Sequence, residues 1–212
     1  IVEAVDRRLD LTAERTLINL QIADYLGNYE DGQALGDLSE SQPAEGVADT
    51  KLSATTGEWP NLKIGRVETG RRRSSTVLSA TVRYKPDDDS VETDRWGYAE
   101  TEPIPALEFI GLEEEVRVLI ETFLPYATDE EIAGFRANAT KTTSPIDRLK
   151  ALTLPSFDDV IDGVQQYIER RDHAEELDNK IMDADSIIED RVCSLYGLTE
   201  EEREVIQKEF EE

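Results

Sequence analysis

The sequence predicts an α+β fold: an N-terminal helix, a small antiparallel β-sheet, and a helical C-terminal half with one long coiled-coil-like helix. Three observations carry this. Residues 76 to 85 alternate apolar and polar side chains with period two, as a half-buried strand does. From Gly111 onward the apolar spacing changes to three and four residues. Finally, Phe157, Ile161, Val164, Ile168, Arg171, Ala174, Leu177, Ile181, Ala184, Ile188, Val192 and Leu195 continue that spacing over one uninterrupted stripe, roughly 60 Å long at ~1.5 Å per residue.

Each element has its own signal. Leu9, Leu11, Leu17, Ile18, Leu20, Ile22 and Leu26 fall partly in helical register and predict a helix ended by Gly27. From Asn28 to Pro60 the chain is rich in Gly, Asp, Ser, Ala and Glu and is expected to be a loop or partly ordered linker. Leu62 to Thr69 and Thr76 to Lys85 then read as a hairpin joined by a tight turn at Gly70-Arg71-Arg72-Arg73. Trp96 to Thr101 and Leu107 to Ile110 are further strands, with Pro103 and Pro105 confining that neighbourhood to an edge or a bend.

Downstream, Leu112 to Leu124 is expected to form a helix stopped by Pro125, and Thr128-Asp129-Glu130-Glu131 to open another as a capping box. Ser144-Pro145 reads as an N-cap followed by proline at the first helical position, with a short helix through Leu152. The long helix starts at Ser156 and stops at Gly197, after which Thr199 to Glu202 cap a last short helix ending near Phe210.

Composition narrows the function. With 23 basic and 48 acidic residues the net charge is −25, the acids are spread over every segment, and arginine outnumbers lysine by 16 to 7. This is the balance expected of a protein that folds in concentrated salt, where a Debye length of about 3 Å screens self-repulsion. One cysteine, Cys193, excludes an intrachain disulfide and a cysteine-rich zinc site, which fits a cytoplasmic location. No apolar run approaches the roughly 20 residues of a membrane span. The chain opens Ile1-Val2-Glu3 without an initiator methionine and is expected to be a fragment of a longer protein.

Against the acidic background one island is basic. Residues 61 to 85 hold Lys63, Arg66, Arg71, Arg72, Arg73, Arg83 and Lys85 against Glu68 alone, a net of +6 that leaves −31 for the remainder. Guanidinium groups suit phosphate oxygens and the guanine edge, because their planar donors pair bidentately. The plainer reading is a solvated strand face balancing neighbouring acids. Asn138 to Ser144 gathers small donors around Lys141 and could hold a phosphate, although such loops more often serve as caps. The catalytic inventory is bare. His173, the single histidine, follows Asp172 on the long helix and reads as a surface or interface residue, Cys193 beside the apolar stripe reads as a small buried side chain, and neither a GxGxxG, a P-loop nor a nucleophile elbow occurs.

The stretch from Asp183 to Glu202, with Leu195-Tyr196-Gly197-Leu198-Thr199 at its centre, resembles the ending of adenine-specific DNA methyltransferases of type IIG restriction-modification and phage-exclusion systems. Leu149 to Pro155 resembles the leucine-proline element that closes a target-recognition region in those enzymes and in type I specificity subunits. Asp24 to Gly32 and Arg95-Trp96-Gly97-Tyr98 resemble the corresponding parts of versions from extreme halophiles. Cys193-Ser194 and Arg203 depart from the pattern, where a tyrosine with a polar residue and an apolar residue are usual.

The resemblance implies a parent that transfers a methyl group from S-adenosylmethionine to adenine, often with a linked nuclease. The Asn/Asp-Pro-Pro-Tyr motif and the glycine-containing cofactor motif of that family do not occur in these 212 residues. The chain is therefore expected to be a non-catalytic DNA-recognition region without a cofactor of its own. Its expected parts are residues 1–110 as helix, linker and recognition sheet, 111–155 as short helices closing that region, and 156–212 as spacer and terminal helix. Expected DNA contacts are Lys63, Arg66, Arg71, Arg72, Arg73, Arg83, Lys85 and Lys141. Expected partners are double-stranded DNA, the parent's methylase domain and, through the long helix, a second copy. The alternative is a scaffold whose helical stripe packs on the methylase domain or dimerises without touching DNA.

Overall fold

The computed structural model describes residues 2–38, 41–43, 62–88, 90–141 and 143–198. Two compact units emerge, one from residues 21–167 and the other from residues up to Leu20 together with those from Ile168 on. The boundaries at 110 and 155 expected from sequence both fall inside the first of these.

That unit contains α2 (Ala23–Leu26), β1 (Asp31–Ala34), β2 (Ser41–Pro43), β3 (Lys63–Arg72), β4 (Ser75–Tyr84), β5 (Ala99–Glu100), β6 (Ile104–Ile110), α3 (Glu114–Asp129), α4 (Phe135–Asn138), α5 (Pro145–Lys150) and β7 (Thr153–Pro155). The first turns of α6 (Phe157–Tyr196) complete it. Strands pair antiparallel in the order β2-β6-β4-β3, with β5 on β4. Of the alternation read along β4, Leu78, Ala80 and Val82 are buried, as are Ile64 and Val67 of β3 and Leu107 and Phe109 of β6. Thr81, expected on the polar face, is fully buried too, because its hydroxyl accepts the Arg66 N–H and donates to Glu100, and Tyr84 is only half-buried. Helix α3 covers this side with Val118, Leu119, Ile120, Phe123 and Leu124. Burying each such large side chain stabilises the fold by about 1.5–3 kcal/mol relative to exposure.

Helix α3 runs through Pro125 instead of stopping there. A proline inside a helix leaves the carbonyl four residues earlier without its N–H. Here that carbonyl belongs to Glu121, and the Thr69 hydroxyl of β3 donates to it at 2.8 Å. The expected capping box at Thr128 is not formed either. The Thr128 hydroxyl bonds back to the Pro125 carbonyl at 2.9 Å, and the chain leaves α3 through a turn with positive φ at Glu131, Ala133 and Gly134.

Other boundaries also move. The first helical stretch divides into α1 (Val2–Thr16) and α2. The hairpin turn lies at Arg73-Ser74, because β3 extends through Arg72. β5 is only two residues long, whereas β6 begins at Ile104 and carries Pro105 beyond the part that pairs with β2. The segment expected to be a linker contains β1, a 3-10 turn and β2 among its described residues. β1 pairs with β7, an element the sequence reading lacked, and Leu35 beside it is fully buried. The Ser144-Pro145 cap is as expected, its hydroxyl accepting from the Asp147 N–H at 3.2 Å, but α5 ends at Lys150.

The other unit is an antiparallel pair of α1 and the later part of α6. Arg8 meets Asp185 and Arg15 meets Asp178, each at 2.9 Å, while His173 Nε2 lies 3.1 Å from Glu14. Ala174, Leu177, Ala184 and Cys193 are its buried positions on α6. Val192 and Leu195, expected on the packed stripe, are exposed, whereas Cys193 is buried as expected. Gly197 ends α6 at φ +66°, its N–H donating to Ser194 and that of Leu198 to the Cys193 carbonyl at 3.0 Å, a Schellman cap. The helix expected from Thr199 lies outside the described residues.

Candidate nucleic-acid interface

The two strands of the hairpin set the positions of the predicted cations. Lys63 pairs in register with Arg83 and Arg72 with Ser75, so the basic residues gather at opposite ends of β3 and β4, roughly 30 Å apart at ~3.4 Å per residue.

At the turn end, Arg71 faces α3. Its guanidinium donates to Glu114 at 2.9 Å and to both oxygens of Glu121 at 2.9 and 3.0 Å. The hydrogen bond to Glu114, with the one to Glu121 and the charge of both carboxylates, raises the Arg71 pKa against the lowering by burial. Arg71 therefore secures the helix to the sheet. Arg72 and Arg73 are exposed and form no ion pair among the described residues; Arg73 turns the chain at φ +55°.

The opposite end is organised around Tyr98. Lys63 Nζ lies 4.4 Å from the centre of its ring, Lys85 Nζ 5.3 Å and the Arg83 guanidinium carbon 5.4 Å. The negative face of the ring gathers cations that would otherwise repel one another. Asp94 fixes this aromatic group in place. Its Oδ1 accepts the backbone N–H groups of Trp96 and Tyr98, both at 2.9 Å, its own N–H donates to the Tyr98 carbonyl at 2.8 Å, and its Oδ2 takes Arg83. The Tyr98 N–H above all holds the Asp94 carboxyl below its ordinary pKa; desolvation, the next effect in size, opposes it, and the Trp96 N–H and Arg83 add to the lowering. Arg95 stacks on Trp96 at 3.9 Å. Lys63, Arg83, Lys85, Trp96 and Tyr98 together line an open cleft of about 450 Å³.

Glu100 limits the field from one side. It faces Arg83 in register, lies 3.9 Å from Arg66 and accepts the Thr81 hydroxyl. Gly65 permits this arrangement at the bulge of β3, since a Cβ there would stand 2.3 Å from the Thr81 hydroxyl and 2.7 Å from Glu100. Lys63 and Lys85 form no ion pair among the described residues. Between the two ends, Glu68, Arg72, Val77, Ser79 and Pro105 line a shallow depression of about 460 Å³ on the sheet face away from α3.

The polar loop before α5 is tied to this end of the sheet. Arg148, only 1% exposed, donates to the carbonyls of Thr143, Leu62 and Ala139 at 2.8, 3.0 and 3.1 Å, and Ala139 also accepts the Ile64 N–H. Burial lowers the Arg148 pKa. Lys141 is exposed on this loop, two residues from Ala139. Asn138 and Ser144 serve the fold: the amide of Asn138 donates to Gly134, and Ser144 caps α5.

Thus three of the eight predicted contacts converge in one cleft, Arg66 lies beside Glu100 outside its lining, Arg72 and Arg73 mark the far end, Arg71 is tied to α3, and Lys141 lies on the adjoining loop. Trp96, Tyr98 and Asp94 were not among the predicted contacts. The spacing Asp94-Arg-Trp-Gly-Tyr98, an acid two residues before an exposed aromatic and beside a glycine, was the available signal.

Elsewhere, a groove of about 350 Å³ in the helical pair sets Arg7, Lys180 and Arg191 against Glu3 and Asp183, which leaves little net field. Among the described residues no group of three or more His, Cys, Asp or Glu is placed to hold a metal ion, and no helix is long and apolar enough to cross a membrane. No protein-family model matches the chain, and neither does a curated protein or a solved structure.

Proposed function

We propose that this chain is a non-catalytic DNA-recognition region that grips duplex DNA through the sheet face bearing Lys63, Arg83 and Lys85 at one end and Arg72 and Arg73 at the other. The observation that carries the reading is the convergence of three cations and two aromatic rings in one preorganised cleft of a protein whose net charge is −25. A chain so acidic repels DNA at long range, so a local cluster held against that background implies a local anionic partner. The second cluster, roughly 30 Å away, matches a separation close to one turn of B-DNA. In concentrated salt, counterion release contributes little, and directed hydrogen bonds from arginine and lysine supply the binding. On the sequence resemblance, the parent is a salt-adapted adenine-specific methyltransferase that uses S-adenosylmethionine, with the methylase domain as the partner in the same chain.

Fluorescence anisotropy with duplex DNA over a salt series tests this. Lys63→Ala with Lys85→Ala should raise Kd about tenfold and make the salt slope shallower by about two. Arg72→Ala with Arg73→Ala should weaken binding as well. No binding to any duplex at any salt would sink the reading.

The exposure of Met182 (68%), Leu195 (71%) and Tyr196 (74%) on α6 favours a second reading, a helical module that docks on the methylase domain or on a second copy. Sedimentation that gives a monomer at all concentrations, with DNA bound, would remove the second copy from that reading.

A further inference from the structure

We infer that the cleft between Trp96 and Tyr98 holds a single unstacked nucleotide of DNA, its base against Trp96 and its phosphate between Lys63 and Lys85. This rests on the DNA-binding reading above and specifies what that end of the sheet receives.

A phosphate alone needs the lysines; it does not need an indole. Yet Trp96 is 60% exposed and lines the cleft, and its backbone is pinned by Asp94. A large apolar ring kept in water on an anchored backbone, with an arginine stacked on one face, offers its other face to a flat partner, and every nucleobase has such a face. Arg95 stacked on the indole at 3.9 Å stiffens the ring and adds a donor beside it. The volume of about 450 Å³ lies within the ~300–1,000 Å³ typical of small-molecule sites and admits one nucleotide, whereas a base still stacked in a duplex presents only its edge. Arg83 is engaged by Asp94, which leaves Lys63 and Lys85 as the cations available to a phosphate.

The test uses the full chain carrying Trp59→Phe, so that Trp96 is the sole tryptophan. Two DNA probes are compared, a fully paired duplex and the same duplex with one extrahelical thymine. The bulged duplex is expected to bind about tenfold more tightly and to quench Trp96 emission on saturation, a size consistent with one base stacked on an aromatic ring. Trp96→Ala is expected to bring the ratio of the two affinities from about ten to about one, with circular dichroism confirming that the variant is folded. Equal affinity of the Trp59→Phe protein for the two duplexes, or saturation without quenching, overturns the unstacked-nucleotide site while leaving duplex binding in place. Failure to bind either duplex overturns both.

Discussion

At the turn end of the β3–β4 hairpin, Arg71 is held by Glu114 and Glu121 of α3, whereas at the other end Lys63 and Lys85 stand around the Tyr98 ring without an ion pair among the described residues. Both ends are strongly basic along the chain, with three arginines at the turn and Lys63, Arg66, Arg83 and Lys85 at the other end. What separates them is the element that packs beside each. A helix with glutamates in its first turns neutralises the arginine it meets, while an aromatic ring gathers cations without neutralising them. Charge available to a partner is therefore decided by tertiary neighbours, and the difference between the two ends can be broken experimentally.

The largest effect is expected at Arg148, which fastens the start of β3 beneath Lys63. Arg148→Met removes the donors to three backbone carbonyls and should lower stability by about 3 kcal/mol in urea unfolding. An unchanged midpoint would mean the cation cluster does not depend on that anchor. Next comes Thr69→Val, which leaves the Glu121 carbonyl without its hydroxyl donor and should cost about 1 kcal/mol. Arg71→Ala is expected to cost less than about 1 kcal/mol, since both of its ion pairs are partly exposed, and to leave DNA affinity unchanged. A tenfold loss of affinity in that variant would erase the distinction between the two ends.

The smallest effect concerns Asp94. Because its folded pKa is depressed below the ordinary 3.8, its contribution is complete above that value and is lost as pH falls through the lower folded value. Trp96 emission in the Trp59→Phe protein should accordingly be constant from pH 7 to about 5 and change only in acid below about 3.8. A transition near neutrality would show that another group positions the loop.

Which features could be read in advance follows from the range of the interactions behind them. The alternation of Leu78, Ala80 and Val82 and the stop at Gly197 are local, and both are found where the pattern put them. β1 and β7 are short, with little periodicity to display, and exist by pairing across more than a hundred residues of chain. The cations of the cleft were legible as a cluster, because charge is visible residue by residue. That Arg71 is paired and Lys63 is not could not be read, because Glu114 and Glu121 lie some forty to fifty residues away from it. Cys193 is buried, as its place beside the stripe predicts, but the pattern did not reveal that Val192 and Leu195 on the stripe itself are exposed. A stripe with residues every three or four positions fixes a helix, but a rotation of part of a turn exchanges its flanks.

The passage of α3 through Pro125 bears on how the protein acquires its structure. Past Glu121, the helix depends on a hydroxyl supplied by a strand that precedes it in the chain. A peptide of residues 114–129 on its own would lack that donor, and at sixteen residues it would sit near the limit of autonomous helix formation. Its final turns belong to the assembled sheet rather than to the segment, so helix completion and sheet docking become one cooperative event.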